Sequence, residues 1–139
     1  MMREILFRGK KIDNDEWTYG FYFEHSIDGQ KYSYIKYQTF DEGFVTNEVV
    51  ADTVGQYTGL TDKNGKKIFE GDIIKYKNTD GIKFNGVALT VIGKVVYNEK
   101  NASFAISGKD EIGAKHYDYF PIKNIEVIGN IHDNPELLK

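Results

Sequence analysis

The stretch Val54–Tyr76 reads VGQYTGLTDKNGKKIFEGDIIKY. Asn64-Gly65 inside it is a pair that tolerates φ > 0 at both positions, as a type I′ hairpin turn requires. Gly71-Asp72 is a second turn signal, and it launches the apolar Ile73-Ile74. The spacing predicts two short strands, 66–69 and 72–76, with Asn64, Gly65, Gly71 and Asp72 as the structural turn residues.

The flanking chain follows the same grammar. Ile5-Leu6-Phe7 reads as a first strand and 9–16 as a polar turn region. In Trp17–His25, WTYGFYFEH, period two places Trp17, Tyr19, Phe21 and Phe23 on one face of a half-buried strand. Gly20, on the other face, marks a bulge or a close neighbour. Asp28-Gly29 predicts a turn, and KYSYIKYQ (31–38) a return strand. Further strands are expected at 44–50, 87–97, 102–107, 115–120 and 125–131, with a polar loop at 77–86. In the tail HDNPELLK, Asp133 or Asn134 can cap one helical turn, with Pro135 at its first position and Leu137 or Leu138 clamping it. No stretch of ten or more residues shows helical periodicity, and turn signals recur roughly every ten residues, as in a sandwich or barrel.

A chain of 139 residues makes one domain or two small lobes. Ten Tyr and nine Phe raise the aromatic share to 14%, and such residues favour strands. Cysteine is absent, which excludes disulfides, thiolate metal sites and thiol nucleophiles and suits a reducing cytoplasm. The start, MMREILFRGKK, has too short an apolar run for a secretory signal. Val87–Tyr97, the most apolar stretch, is too short to span a bilayer as a helix and contains Lys94. A soluble, intracellular protein with no membrane partner is expected.

The net charge of −3 is uneven: residues 62–100 hold eight Lys against five Asp and Glu, whereas 1–61 hold six basic and ten acidic residues. His25, His116 and His132 show no metal-ligand spacing, although His116 and Asp118 share a strand face. No Gly-x-Ser-x-Gly or Ser-x-x-Lys occurs. The carboxylate pairs Asp13/Asp15, Asp41/Glu42 and Asp110/Glu111 fall in polar loops, where solvation leaves them poor acids or bases. Gly55, Gly59, Gly65 and Gly71 do not form a phosphate-binding loop. The chain reads as non-enzymatic, without a cofactor or metal.

Two binding surfaces are legible. The aromatic surplus points to protein contact, with Trp17, Tyr32 and Tyr34 as candidates. An open sheet edge also permits pairing with a second copy. The alternative is nucleic acid, held by Lys66, Lys67, Lys75, Lys77 and Lys94 interleaved with Tyr57, Phe69, Tyr76 and Tyr97.

Three ordered blocks resemble the YopX family of bacteriophage and prophage proteins. They are Arg8-Gly9-Lys10 with Trp17, Tyr19 and Gly20; Val54–Leu60 with Asp62, Gly65, Ile68 and Glu70–Ile73; and Ile125–Ile131 with Asp133–Leu138. The loops 26–47 and 78–90 match least. The resemblance implies a β-rich, barrel-containing protein of the bacterial host's cytoplasm and transfers no catalytic residue.

The expectation is an all-β chain, 1–139 as a single compact domain. Its sub-lobes are an N-terminal β-meander (1–53) packed on an SH3-like or small β-barrel (54–139) that ends in one short helical turn. Its expected role is a phage accessory module that binds an unknown host or phage protein.

Overall fold

The computed structural model describes residues 2–79, 85–120 and 123–139. Strand accounts for 60% and the 5% of helix is all of the 3-10 kind, so the chain is all-β. It divides into two compact units, Met1–Gly59 and Leu60–Lys139. The expected loop 77–86 lies outside the described residues from 80 to 84.

The first unit holds β1 (Phe7–Lys10), β2 (Trp17–Ile27), β3 (Gln30–Thr39), β4 (Gly43–Val49) and the start of β5 (Gly55–Thr61), joined to β4 through a 3-10 turn at Ala51–Thr53. They lie in the order β4-β3-β2-β1-β5, every pair antiparallel. Asp28 and Gly29 both have positive φ (49° and 80°) and link Ile27 directly to Gln30, the two-residue type I′ turn expected from their chemistry.

The period-two aromatics of β2 share one face as expected, and that face is the outward one. Cross-strand pairing sets Phe21 beside Lys36 and Phe23 beside Tyr34 on one face, with Tyr22 beside Ile35 on the other. The second face is the buried one: Ile35 and Val49 are almost wholly enclosed there, as are Thr18 and Ser33. Gly20 belongs to that face, where a Cβ would run into the Lys36 carbonyl and the Tyr37 side chain; the close neighbour it signalled is the adjacent strand. Small residues on β2 thus permit tight approach on the inner side and push the large rings outward.

In the second unit the end of β5 turns into β6 (Lys67–Phe69). It is followed by β7 (Asp72–Asn78), β8 (Leu89–Asn98), β9 (Ser103–Asp110), β10 (Lys115–Tyr119) and β11 (Glu126–Asn130). The main sheet runs β10-β9-β8-β7-β11, all antiparallel, with a bulge between Val127 and Gly129. The expected barrel does not close. A small barrel needs its first and last strands in consistent stagger, and here the ladder ends at β10 on one side and β11 on the other. One face carries the core: Ile74, Tyr76, Val91, Val95 and Ile106 from the sheet, joined by Ile68 and Ile125.

Two turn expectations are refined. Only Gly65 has positive φ (81°); Asn64 does not. The loop spans three residues, 63–65, closed by the Gly65 N–H donating to the Asp62 carbonyl at 3.0 Å. Gly65 supplies the left-handed residue of a bulged turn, so Asn64 has no need of one. Gly71 has φ of 89°. Gly71→Val is therefore expected to cost about 1–3 kcal/mol, because a β-branched residue is strained there; a chemical denaturation curve that coincides with that of the parent would remove this reading.

The last helical turn, Pro135–Leu138, is 3-10, and Asn134 stands at its cap position without a side-chain bond into it. The Asn134 Oδ1 accepts from the Asn130 N–H instead, at 3.3 Å, tying the turn to β11.

Candidate functional site

Two five-residue turns in the second unit share one device, Asp-x-x-Gly-x. In Asp62–Lys66 the Asp62 Oδ1 accepts the N–H groups of Asn64 (2.8 Å) and Lys66 (2.9 Å), while the Asp62 N–H donates to the Lys66 carbonyl (2.7 Å). In Asp110–Ala114 the Asp110 Oδ1 accepts from Ile112 (3.0 Å) and Ala114 (2.9 Å), and the Asp110 N–H donates to the Ala114 carbonyl (2.9 Å). In both, one carboxylate oxygen closes the turn and the other is left to bond a residue of another strand. Asp62 Oδ2 accepts the Val127 N–H at 3.0 Å, fastening β11. Asp110 Oδ2 lies 2.8 Å from His116 Nε2, fastening β10.

These contacts set the charges. Burial alone pushes the Asp62 carboxyl up, but the N–H groups of Val127, Lys66 and Asn64, with the Lys66 charge, outweigh it and hold the pKa below the ordinary carboxylate value. The His116 contact is the main cause that lowers Asp110. Burial, and then the hydrogen bond to the Asp118 carboxylate, push the Tyr76 hydroxyl far upward.

Around His116 the polar groups satisfy one another. Its Nε2 lies 2.8 Å from Asp110 Oδ2, and its Nδ1 3.2 Å from the Asn78 side-chain amide nitrogen. Asp118 Oδ2 lies 3.7 Å from Nδ1 and is engaged by the Tyr76 hydroxyl. Both ring nitrogens are engaged, and the cluster pins β7, β9 and β10 together. Among the described residues, no three His, Asp or Glu side chains form a group able to hold a metal ion.

The candidate contact residues are dispersed. Tyr57 is buried in the first unit. Lys66 stands exposed in the β5–β6 turn and Lys67 half-buried on β6. Lys75 is exposed on β7, opposite Ile92, whereas Tyr97 pairs with Phe104 on the other face of the sheet, its ring 5.4 Å away edge to face. Phe69 and Tyr76 are buried, so the aromatics expected to interleave with these lysines are committed to the interior. Trp17 is half-buried beneath cations, with the Arg8 guanidinium 4.6 Å and the Lys10 ammonium 5.5 Å from its ring centre.

Tyr32 and Tyr34, by contrast, belong to a real surface. The outward face of β2, β3 and β4 presents Phe21 (62% exposed), Phe23 (40%) and Phe44 (57%). Tyr34 stacks on Phe23 with centroids 5.2 Å apart, and the Lys36 ammonium sits 4.7 Å over the Phe44 ring. Tyr32, opposite His25, extends the same face toward the hairpin tip. The sequence reading left open which face of β2 is outward and that Phe44 joins it from β4. The signal was available in Gly20 and Thr18, whose small size marks the packed side of β2.

The profile of a family described as "YopX protein" matches residues 6–139. Among solved structures, the chain is similar to the crystal structure of protein EF1440 from Enterococcus faecalis. The two share 21% identity over 99% of this chain and 100% of that one, with a TM-score of 0.46. No curated protein matches.

Proposed function

We propose that this chain, which belongs to the YopX family, is a non-enzymatic phage accessory module that binds a protein in the bacterial cytoplasm. The observation that carries this reading is the aromatic face of the first unit. Phe21 and Phe23 on β2 and Phe44 on β4 are 62%, 40% and 57% exposed on one face, bridged by Tyr34 and Lys36 of the intervening β3, so they form one patch rather than scattered residues. Contiguous apolar patches rimmed by polar groups mark interaction surfaces, and Phe and Tyr are enriched in them. The satisfied hydrogen bonds around His116 support a structural rather than catalytic role for the main titratable cluster.

The test is a pair of surface changes, Phe21→Ser with Phe44→Ser. Both side chains are exposed, so the melting temperature is expected to stay within a few degrees, in line with surface changes of about ±0.5 kcal/mol each. Partners cross-linked to the parent protein in bacterial lysate, or its self-association in sedimentation, are expected to be lost. A variant that keeps the same cross-linked species and the same sedimentation would overturn the assignment.

A further inference from the structure

The main sheet of the second unit has two unlike faces. Alternation sends Ile74, Tyr76, Val91, Val95 and Ile106 to the core. It sends Lys75, Lys94, Lys109 and Lys115 to the opposite face, all exposed. Three of them share one cross-strand row, since Lys75 pairs with Ile92, Ile92 with Lys109, and Lys109 with Lys115. Three strand spacings put the ends of that row about 14 Å apart. The next row holds Lys94, Ser107 and Tyr117.

This charge arrangement is unfavourable for the fold itself. Lys109 and Lys115 are direct cross-strand neighbours, and like charges so placed destabilise a sheet. Among the described residues, no carboxylate forms an ion pair with Lys75, Lys94, Lys109 or Lys115. The nearby acids are already engaged: Glu126 pairs with Lys63 at 3.3 Å, and Glu111 accepts the Thr90 N–H at 3.0 Å with Lys77 close by. Tyr117 (47% exposed) and Tyr119 (48%) stand on the lysine side, rings 5.6 Å apart and edge to face. The lysines border an open groove of about 1000 Å³ that also takes in Tyr117 and is flanked by Leu137 and Leu138.

We infer that this face holds a single-stranded nucleic acid, its phosphates against Lys75, Lys94, Lys109 and Lys115 and its bases against Tyr117 and Tyr119. A lysine row alone fits any polyanion; exposed rings beside it favour unpaired bases, which offer a flat face for stacking. The negative charge of the whole chain does not oppose this, because residues 1–59 carry six basic and ten acidic groups while 60–139 carry twelve and eleven. This assignment uses a different unit from the aromatic face and stands or falls without it.

Fluorescence anisotropy of the full chain with a labelled oligothymidylate, a hairpin duplex and poly-L-glutamate as competitor tests it. Four phosphate contacts on a single strand predict a slope of log affinity against log salt of about −3, a loss of roughly fifty-fold between about 50 and 200 mM. Lys109→Gln with Lys115→Gln is expected to halve that slope. Tyr117→Ala is expected to weaken oligothymidylate at least about five-fold and leave the slope unchanged. Lys109→Glu is expected to lose binding with a melting temperature equal to or above the parent's, since it faces Lys115, which separates loss of binding from loss of fold. No binding at low salt, an unaltered slope in the Lys109/Lys115 variant, or equal competition by poly-L-glutamate with Tyr117→Ala inert would each overturn the inference; the last result would instead make the groove a site for acidic peptides.

Discussion

Gly108→Val is expected to unfold the second unit under conditions where the parent is stable. Gly93 and Gly108 are cross-strand partners at the centre of β8 and β9. A Cβ on Gly93 would lie 2.7 Å from the Ser107 carbonyl oxygen and 2.9 Å from the Gly108 Cα. A Cβ on Gly108 would run into the Ile92 carbonyl and the Gly93 Cα. Every obstructing atom but one is backbone held in the ladder, and the exception is a methyl of the fully buried Ile106. Overpacking costs about 1–3 kcal/mol where side chains can adjust and more where backbone must move, so a loss above about 3 kcal/mol is expected. For a unit of this size each kcal/mol shifts the melting temperature by about 4–8 °C, and the fall should exceed about 12 °C by circular dichroism. A melt within a few degrees of the parent's would show that the two strands do not approach as closely as described.

Asp62→Ala is expected to be nearly as damaging, and its effect should depend on pH. The side chain is 7% exposed and accepts three backbone N–H groups, from Asn64, Lys66 and Val127. Hydrogen bonds to a charged acceptor contribute about 1.5–3 kcal/mol each, and donors left unsatisfied on truncation add a desolvation penalty. With relaxation of the exposed turn, a net loss of about 3 kcal/mol is expected at neutral pH. The folded-state pKa of Asp62 is depressed below its unfolded value. Its contribution is therefore fully present above the unfolded value of about 3.9 and is lost as pH falls through the folded one. The gap between parent and Asp62→Ala in urea denaturation should thus narrow below about pH 4. Asp110 and Glu111 are depressed in the same direction, so the variant keeps part of the acid sensitivity. An equal gap at neutral and strongly acid pH would mean that the carboxylate is not what holds the turn to β11.

The strands were legible wherever side chains alternated between small or polar and large apolar, as in β2, β3 and β8. What alternation does not reveal is which side is inside. In β2 period two put the rings on one face without saying whether it was the inner one; the decisive quantity was the space available at Gly20. The Asn64-Gly65 turn was located correctly and its class was not, because Asp62 imposes a three-residue loop through its own side chain. Asp-x-x-Gly-x recurs at Asp110, where the chain was read only as a solvated acidic loop; a search for a carboxylate three residues before a glycine would have paired the two. Barrel closure was not readable at all, since it depends on where β11 docks, and that is a pairing with β7 distant in sequence, to which Asp62 adds a bond at Val127. The nucleic-acid reading from residues 57–97 drew on two sheets and, within the second, on both faces. Sorting by cross-strand register removes Tyr76 and Tyr97 from the lysine side and brings in Lys109, Lys115, Tyr117 and Tyr119.

The ribbon formed by β2 and β3 has a practical use. From Glu24 to Lys31 every residue is exposed, so this outer length is held by backbone pairing and contributes nothing to the interior. A short peptide tag grafted at Asp28-Gly29, or a cysteine placed there in a chain that has none of its own, gives a dye or an immobilising surface a site of attachment remote in sequence from every lysine of the second unit.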